Sequence, residues 1–295
     1  METVIETKNL TKTYGKNRGI DEVNLTVNKG DVFGFLGPNG AGKSTTIRIL
    51  LDLIRPNSGS ATIFGMDCHR DAVKIHRRIS YVPGDVNLYG NMTGEKFLAY
   101  FGRVRGSFDQ TAAKKYAEKF EVRLDRRMKE YSKGNKQKIA LIQAFMNDPD
   151  LLILDEPTSG LDPLVQQTFL DVIKEEAAAG RTIFMSSHVL FEVEKVCNRV
   201  AIIKEGRIIT QENTDDLRKK SGKILEVKFA DEIKPEILNI EGVTNVARFN
   251  GSYRMSVTGD VQKVLKEITT HRIADINIHS MNLEDIFMQY YSGGK

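Results

Sequence analysis

The residues best suited to chemistry form two groups. Gly37-Pro38-Asn39-Gly40-Ala41-Gly42-Lys43-Ser44 follows the pattern GxxxxGK[ST]. Glycines let the backbone bend so that successive N–H groups point inward at phosphate oxygens, and a following helix adds the positive end of its dipole. Lys43 supplies a mobile cation for β- and γ-phosphates, and the Ser44 hydroxyl, with Thr45 behind it, is suited to a bound nucleotide and its Mg²⁺. The plainer alternative is a glycine-rich turn that merely opens a helix. Eight matched positions between a strand pattern and a helix pattern weigh against it. The second group is Asp155-Glu156, at the end of the apolar run LLILD. Two adjacent carboxylates there are costly unless a metal or an open site accommodates them. Asp155 suits an outer partner of Mg²⁺, and Glu156 a general base for an attacking water. The alternative is a strand-end acidic pair that caps the next element.

These groups need a framework. Val23, Leu25 and Val27 share one face of a half-buried strand, and VFGFLG (32–37) reads as a buried strand running into the glycine loop. Ile47, Leu50, Leu51 and Ile54 recur at helical spacing, with Pro56-Asn57-Ser58-Gly59 as the stop. From about Thr93 to Asn147 the pattern is helical, with Thr93 as an N-cap; LLILD and RTIFMSSH then read as strands on either side of the helix PLVQQTFLDVIKEEAAAG. Strands alternating with helices predict a parallel sheet covered on both faces. RVAIIKEGRIIT predicts a hairpin and DDLRKKSGK a polar helix, placing a domain boundary near Ser221-Gly222. The remainder reads as a small α+β unit closed by NLEDIFMQYY, where Leu283, Ile286, Phe287 and Tyr290 have the spacing of a docked helix.

Length and composition agree with such a framework. The 295 residues are 40% hydrophobic and 28% charged, enough for one large domain and a smaller one and too apolar for a wholly disordered chain. The net charge is +4, with basic and acidic residues interspersed, so no nucleic-acid partner is expected. Cys68 and Cys197 belong to no CxxC pair, which argues against a disulfide framework or zinc site and favours a reducing cytoplasm. No apolar run approaches the ~18 residues of a membrane span, and the start METVIETKNL lacks a secretory apolar core.

With these motifs in place, residues 1 to about 218 resemble the nucleotide-binding subunits of ATP-binding cassette (ABC) transporters. Pro157-Thr158-Ser159-Gly160-Leu161-Asp162 repeats the family's PTSGLD. The resemblance implies that Asp162 lies in a loop communicating across a dimer, that His188 is the switch histidine contacting the γ-phosphate, and that Tyr14 stacks on adenine. The implied fold is α/β: a P-loop NTPase parallel-sheet core with an N-terminal antiparallel β subdomain and a helical subdomain. A nucleotide-binding domain is expected over 1–220, its helical subdomain over about 88–148, and a small C-terminal α+β domain over 223–295. ATP and Mg²⁺ are the implied cofactors. A transmembrane permease and a second nucleotide-binding subunit, a copy or a homologue, are the implied partners, at the cytoplasmic face of the membrane.

Two motifs depart from the family pattern. The signature loop LSGGQ is here Tyr131-Ser132-Lys133-Gly134-Asn135, which keeps Ser132 and Gly134 to face the phosphate bound by the opposite subunit but adds a cation at Lys133. Where the family carries a glutamine after a strand like ISYVP, this chain has Gly84 and then Asp85, leaving Asp85 or a water to reach the metal. The C-terminal NLEDIFMQYY resembles the end of ATPases from drug, antibiotic or peptide exporters whose permeases are separate chains. Two further readings stand beside a transport motor. One is a cassette ATPase of DNA repair or translation, against which the short spacing from Lys43 to Asp155 and the single set of motifs argue. The other is a weakly hydrolysing regulator, against which Asp155, Glu156 and His188 argue.

Overall fold

The computed structural model describes residues 2–86, 88, 90–106, 108–282 and 285–287. It divides into two compact units, residues 1–212 and 213–295.

The first unit opens with long strands β1 (Thr3–Tyr14) and β2 (Asn17–Asn28), paired antiparallel. Val23, Leu25 and Val27 are all buried while Asn24 between them is exposed, the alternation expected of a half-buried strand. β3 (Val32–Leu36) is buried throughout and runs into the glycine loop, after which α1 (Lys43–Leu50) begins. This helix stops earlier than its apolar spacing predicts. The N–H groups of Leu53 and Ile54 both turn back to the carbonyl of Arg48, and Asp52 sits at φ 53°, so Ile54 reaches the core from a turn and not from the helix.

Next come β4 (Ser58–Ile63), which pairs with β1, then β5 (Met66–Asp67), α2 (Ala72–His76) and β6 (Ile79–Val82). The helical stretch follows as α3 (Gly94–Val104), α4 (Gln110–Lys119) and α5 (Lys133–Phe145). Each has a side-chain cap: Thr93, Asp109 and Ser132 accept hydrogen bonds from N–H groups of their own first turns. β7 (Leu151–Asp155), α6 (Pro163–Ala178), β8 (Thr182–Ser187), α7 (Leu190–Val196), β9 (Arg199–Lys204) and β10 (Arg207–Asn213) complete the order. The predicted hairpin between the last two turns at Glu205 and Gly206, both with positive φ (49° and 80°), as a tight two-residue turn requires.

The central sheet has the order β10-β9-β3-β8-β7-β6, with parallel pairing from β9 through to β6. The C-terminal ends of β3, β8, β7 and β6 therefore lie side by side, at the edge where a doubly covered sheet binds ligands. Phe184 of β8 anchors the centre: it is fully buried between Phe33 (ring centroids 5.8 Å apart) and Phe35 (5.6 Å).

The second unit contains α8 (Thr214–Ser221), β11 (Lys223–Phe229), β12 (Val243–Phe249), β13 (Ser252–Val257), α9 (Val261–Ile268) and β14 (Ile273–Ser280). Its sheet order is β12-β13-β11-β14, with Leu225, Val227, Met255 and Val257 packed with Val264 and Ile268 of α9. The division falls at Glu212/Asn213, ahead of α8, whereas the sequence places it after that helix. Gly222 explains the difference. At φ 93° a Cβ there would lie 2.3 Å from the Val257 carbonyl oxygen, so the expected linker glycine is wedged into the second unit's own backbone. Of the closing motif, Ile286 is buried and residues 285–287 are helical, with Asn282 and Asp285 capping each other reciprocally; Leu283 and Tyr290 lie outside the described residues.

Phe184→Ala removes a ring from the middle of the sheet's cover. We expect a loss of about 3–5 kcal/mol, read as a lowered urea midpoint of the first unit's transition.

Candidate active site at the sheet's C-terminal edge

The loop between β3 and α1 owes its shape to glycines that no other residue replaces. At Gly37 a Cβ would lie 2.5 Å from the Ile203 carbonyl oxygen; at Gly42, with φ 112°, it would lie 2.6 Å from Ile20 and 2.9 Å from the Gly19 carbonyl oxygen. Close approach and left-handed backbone together dictate glycine. Gly42 is also the N-cap of α1, whose first turn has no side-chain cap and no acidic residue, so its free N–H groups and positive dipole end face the loop.

Lys43, 4% exposed, is folded beneath the loop. Its Nζ donates to the carbonyls of Gly37 (2.7 Å) and Pro38 (3.2 Å) and lies 3.2 Å from Glu156 Oε1. The other carboxylate oxygen of Glu156 is 2.8 Å from His188 Nδ1. Glu156 and His188 directly follow the ends of β7 and β8, and Lys43 opens α1 beyond the loop that leaves β3, yet the three form one continuous polar array. The cause is register: Leu36 pairs with Ser187, and Asp155 with Ser186, so the three strand ends are level.

Asp155 is buried, and one of its oxygens accepts a 2.6 Å hydrogen bond from the Ser186 hydroxyl. The same Ser186 receives the Glu156 N–H at both its carbonyl and its Oγ (3.2 and 3.1 Å). These bonds hold Glu156 at φ 48°, a left-handed conformation unusual for a residue other than glycine and persistent only where the surroundings impose it. Burial and the charge of Asp155 push the phenol of nearby Tyr81 up to about 12.

A concavity of about 240 Å³ is lined by Tyr14, Arg18, Gly19, Asn39, Gly40, Gly42, Lys43, Ser44, Thr45 and Glu156. Tyr14 is 44% exposed, and a Cβ on Gly19 would lie 2.9 Å from its ring, so glycine lets the aromatic lie flat at the rim. Pro38 and Asn39 are exposed at the loop's crest and Ala41 is buried beneath it. The structure thus brings Tyr14, the whole phosphate loop, Asp155, Glu156 and His188 to one edge. Gly84 joins them from β6: a Cβ there would lie 3.2 Å from the Asp155 carbonyl oxygen. Asp85 is exposed and is not among the residues lining the concavity.

Ser132, Gly134 and Asp162 lie elsewhere in the chain. Ser132 caps α5, accepting from Asn135 N–H, and Asp162 caps α6, accepting from Val165 N–H. The two loops touch each other: a Cβ on Gly134 would lie 2.8 Å from the Gly160 carbonyl oxygen, and the Lys133 stem runs alongside Gly160. Their junction is sealed by Gln137, buried, which donates a 2.8 Å hydrogen bond to the Pro157 carbonyl one residue beyond Glu156.

Sequence reasoning missed several residues here. Ser186 and Gln137 carry no pattern of their own and act only through partners about thirty and twenty residues away. Arg18, which lines the rim and pairs with Glu205, had only its charge as a signal. Glu192 on α7 is 2% exposed and accepts from the Ser187 hydroxyl (3.1 Å) beside the His188 turn. Burial holds its carboxyl above the usual range, against the lowering effect of hydrogen bonds from Thr158 and Ser187. With the folded value raised above the ordinary 4.5, Glu192 contributes stability at low pH that is lost as pH rises through 4.5 and the higher folded value. Glu192→Gln, which mimics the neutral acid, is expected to remove that loss. Urea midpoints at pH 5 and pH 8 should differ less for the variant than for the parent chain.

Comparison with known proteins bears on the same features. Residues 20–159 match the family described as ABC transporter, and residues 213–291 match the C-terminal domain of DrrA1-3-like ATP-binding proteins. The bacitracin transport ATP-binding protein BcrA of Bacillus licheniformis is 34% identical, over all of this chain and 99% of its own length. The daunorubicin/doxorubicin resistance ATP-binding protein DrrA of Streptomyces peucetius is 36% identical, over 77% of this chain and 71% of its own. Among solved structures, an ATP-binding subunit of an ABC transporter is 31% identical and superposes with a TM-score of 0.68 over 74% of this chain and 92% of its own. A dimeric ATP-binding cassette in a post-hydrolysis state with ADP and Pi has the same fold at 24% identity, with a TM-score of 0.66 over 71% of this chain and 98% of its own. Glycine loop, level strand ends and full-length likeness converge: this chain belongs to the ATP-binding subunits of ABC transporters, and is an ATPase of that family.

Proposed function

We propose that this chain hydrolyses ATP at the Lys43–Glu156–His188 array to drive export of a drug-like or antibiotic molecule through a separate transmembrane permease, from the cytoplasmic face of the membrane. The observation that carries the chemistry is the array itself: a buried cation, a carboxylate and an imidazole in contact at the mouth of a phosphate-shaped loop. Export is supported by the bacitracin and daunorubicin/doxorubicin proteins that the chain resembles. Among the described residues no helix is long and apolar enough to cross a membrane.

In this reading the purine stacks on Tyr14 and the triphosphate lies along residues 37–45, its oxygens meeting loop N–H groups and the start of α1. Lys43 exchanges the Gly37 and Pro38 carbonyls for β- and γ-phosphate oxygens, which releases Glu156 from its ion pair. Glu156 then takes the proton of a water whose oxygen bonds to the γ-phosphorus. The bond from that phosphorus to the β–γ bridging oxygen breaks, and ADP leaves with the electron pair. His188 keeps the γ-phosphate in line. The hard oxygen donors of Ser44 and Asp155 fit Mg²⁺ and would hold it, where it would supply neutralising charge to the phosphates.

Ser132, Gly134 and Asp162, which do not line the chain's own concavity, suit the second nucleotide-binding subunit of a head-to-tail pair, either a copy or a homologue. Lys133 then brings a cation toward the phosphates held by that partner.

Lys43→Ala is expected to lose most ATP affinity in calorimetry with magnesium. Glu156→Gln is expected to keep that affinity while steady-state phosphate release falls by about 10²–10⁴. Normal turnover by Glu156→Gln would remove that residue from its role. Copurification of a multi-span protein with the tagged chain tests the permease.

A further inference from the structure

β14 lies at the margin of the second unit's sheet, and among the described residues only β11 is paired with it. The devices that usually blunt an edge are sparse on this strand: one carboxylate, Asp275, and a register shift where Phe229 meets Ile273. IADINIHS contains no Lys, Arg or Pro, and its pairing with β11 is regular from Lys228–Asp275 to Lys223–Ser280. Ile276 and Ile278 stand opposite Val227 and Leu225, on the face that packs against α9, yet they remain 39% and 40% exposed at the sheet's margin. One donor on the outward edge is taken up within the strand itself. The Ile276 N–H is turned off the ladder and held by its neighbour's side chain, Asp275 Oδ1, at 2.9 Å. By the alternation of a strand, Ala274, Ile278 and Ser280 present their backbone groups the same way.

The order of side chains along this edge is self-complementary. Turned antiparallel to a copy of itself about Asn277, the strand sets Ile276 against Ile278 and Asp275 against His279, each twice. The parity is also correct, because Ile276 and Ile278 then exchange outward-facing backbone bonds while Asn277 meets its own copy across the axis. Shifting the axis to Ile276 or Ile278 would leave one isoleucine pair in place of two and would lose the pairing of Asp275 with His279. We infer that the second unit docks with a second copy of this chain through β14, joining the two four-stranded sheets into one across an axis at Asn277. The four isoleucines then extend the α9-covered cores of both copies, and Asp275 exchanges its own strand's N–H for the partner copy's imidazole. The interface is isologous, as a two-fold dimer requires. It uses neither the phosphate loop nor bound nucleotide.

The test is cysteine cross-linking of the full chain without nucleotide, with diamide as oxidant. The native thiols of Cys68 and Cys197 are buried and give little background. At a non-hydrogen-bonded antiparallel pair the two Cα atoms lie about 4.5 Å apart, within disulfide reach. Asn277→Cys is therefore expected to yield a disulfide-linked dimer, and Thr244→Cys on the opposite edge strand is not. Ile278→Lys on the Asn277→Cys background should abolish the cross-link while leaving the melting temperature unchanged. His279→Asp should weaken the dimer about fivefold in sedimentation equilibrium, and adding Asp275→His should restore it. Cross-linking of Asn277→Cys no faster than the Thr244→Cys control, or no recovery in the charge-swapped double variant, would overturn the inference. A different protein occupying this edge would give the first of those results.

Discussion

The first unit is organised around the problem of keeping one ammonium group buried. Lys43 is almost entirely withdrawn from water, where an unpaired charge would be prohibitive. Its compensation comes from two loop carbonyls and the carboxylate of Glu156, and each demands something of the fold. The carbonyls converge only if the chain bends tightly between Gly37 and Gly42, at positions where any Cβ would strike neighbouring backbone. The carboxylate arrives only if β7 ends level with β3, with β8 between them. In the proposed function a phosphate chain takes the place of these ligands around Lys43.

Glu156 is the least relaxed residue in that arrangement. Its left-handed backbone is imposed by Ser186, whose one hydroxyl accepts from the Glu156 N–H and donates to the Asp155 carboxylate. Beyond Glu156, Gln137 grips Pro157, and Glu192 accepts from the Ser187 hydroxyl beside the turn that carries His188. Helices α5 and α7 are thus tied to the two ends of the Lys43–Glu156–His188 array. Ser132 caps α5, so the N-terminus of that helix is linked through Gln137 and one hydrogen bond to the residue after Glu156. Lys133 stands at that junction with its stem beside Gly160. The extra side chain is accommodated because glycine occupies the facing position.

The glycine that follows β6 has a related explanation. Gly84 approaches the Asp155 carbonyl too closely for an ordinary side chain to sit without displacing its neighbour. The position is therefore shaped by contact with the acidic strand, and the exposed Asp85 beside it is a separate feature of the surface.

By itself the sequence determined the local matters: the buried strands, the capped helices, the phosphate loop and the family. All of these depend on side-chain periodicity, caps and short contiguous motifs, which are properties of neighbouring residues. It misjudged the end of α1, because apolar spacing continued into a turn whose N–H groups fold back on Arg48, and it placed the domain boundary after α8 because Gly222 looks like a linker until Val257 is seen beside it. Tertiary structure alone decided which strand ends stand level, that Ser186 serves Asp155 and Glu156 together, that Gln137 and Glu192 are buried against the loops of the site, and that β14 is left at an edge. Each of these is a contact between segments remote in the chain. Strand order and register create such contacts, and no spacing within a single segment encodes them.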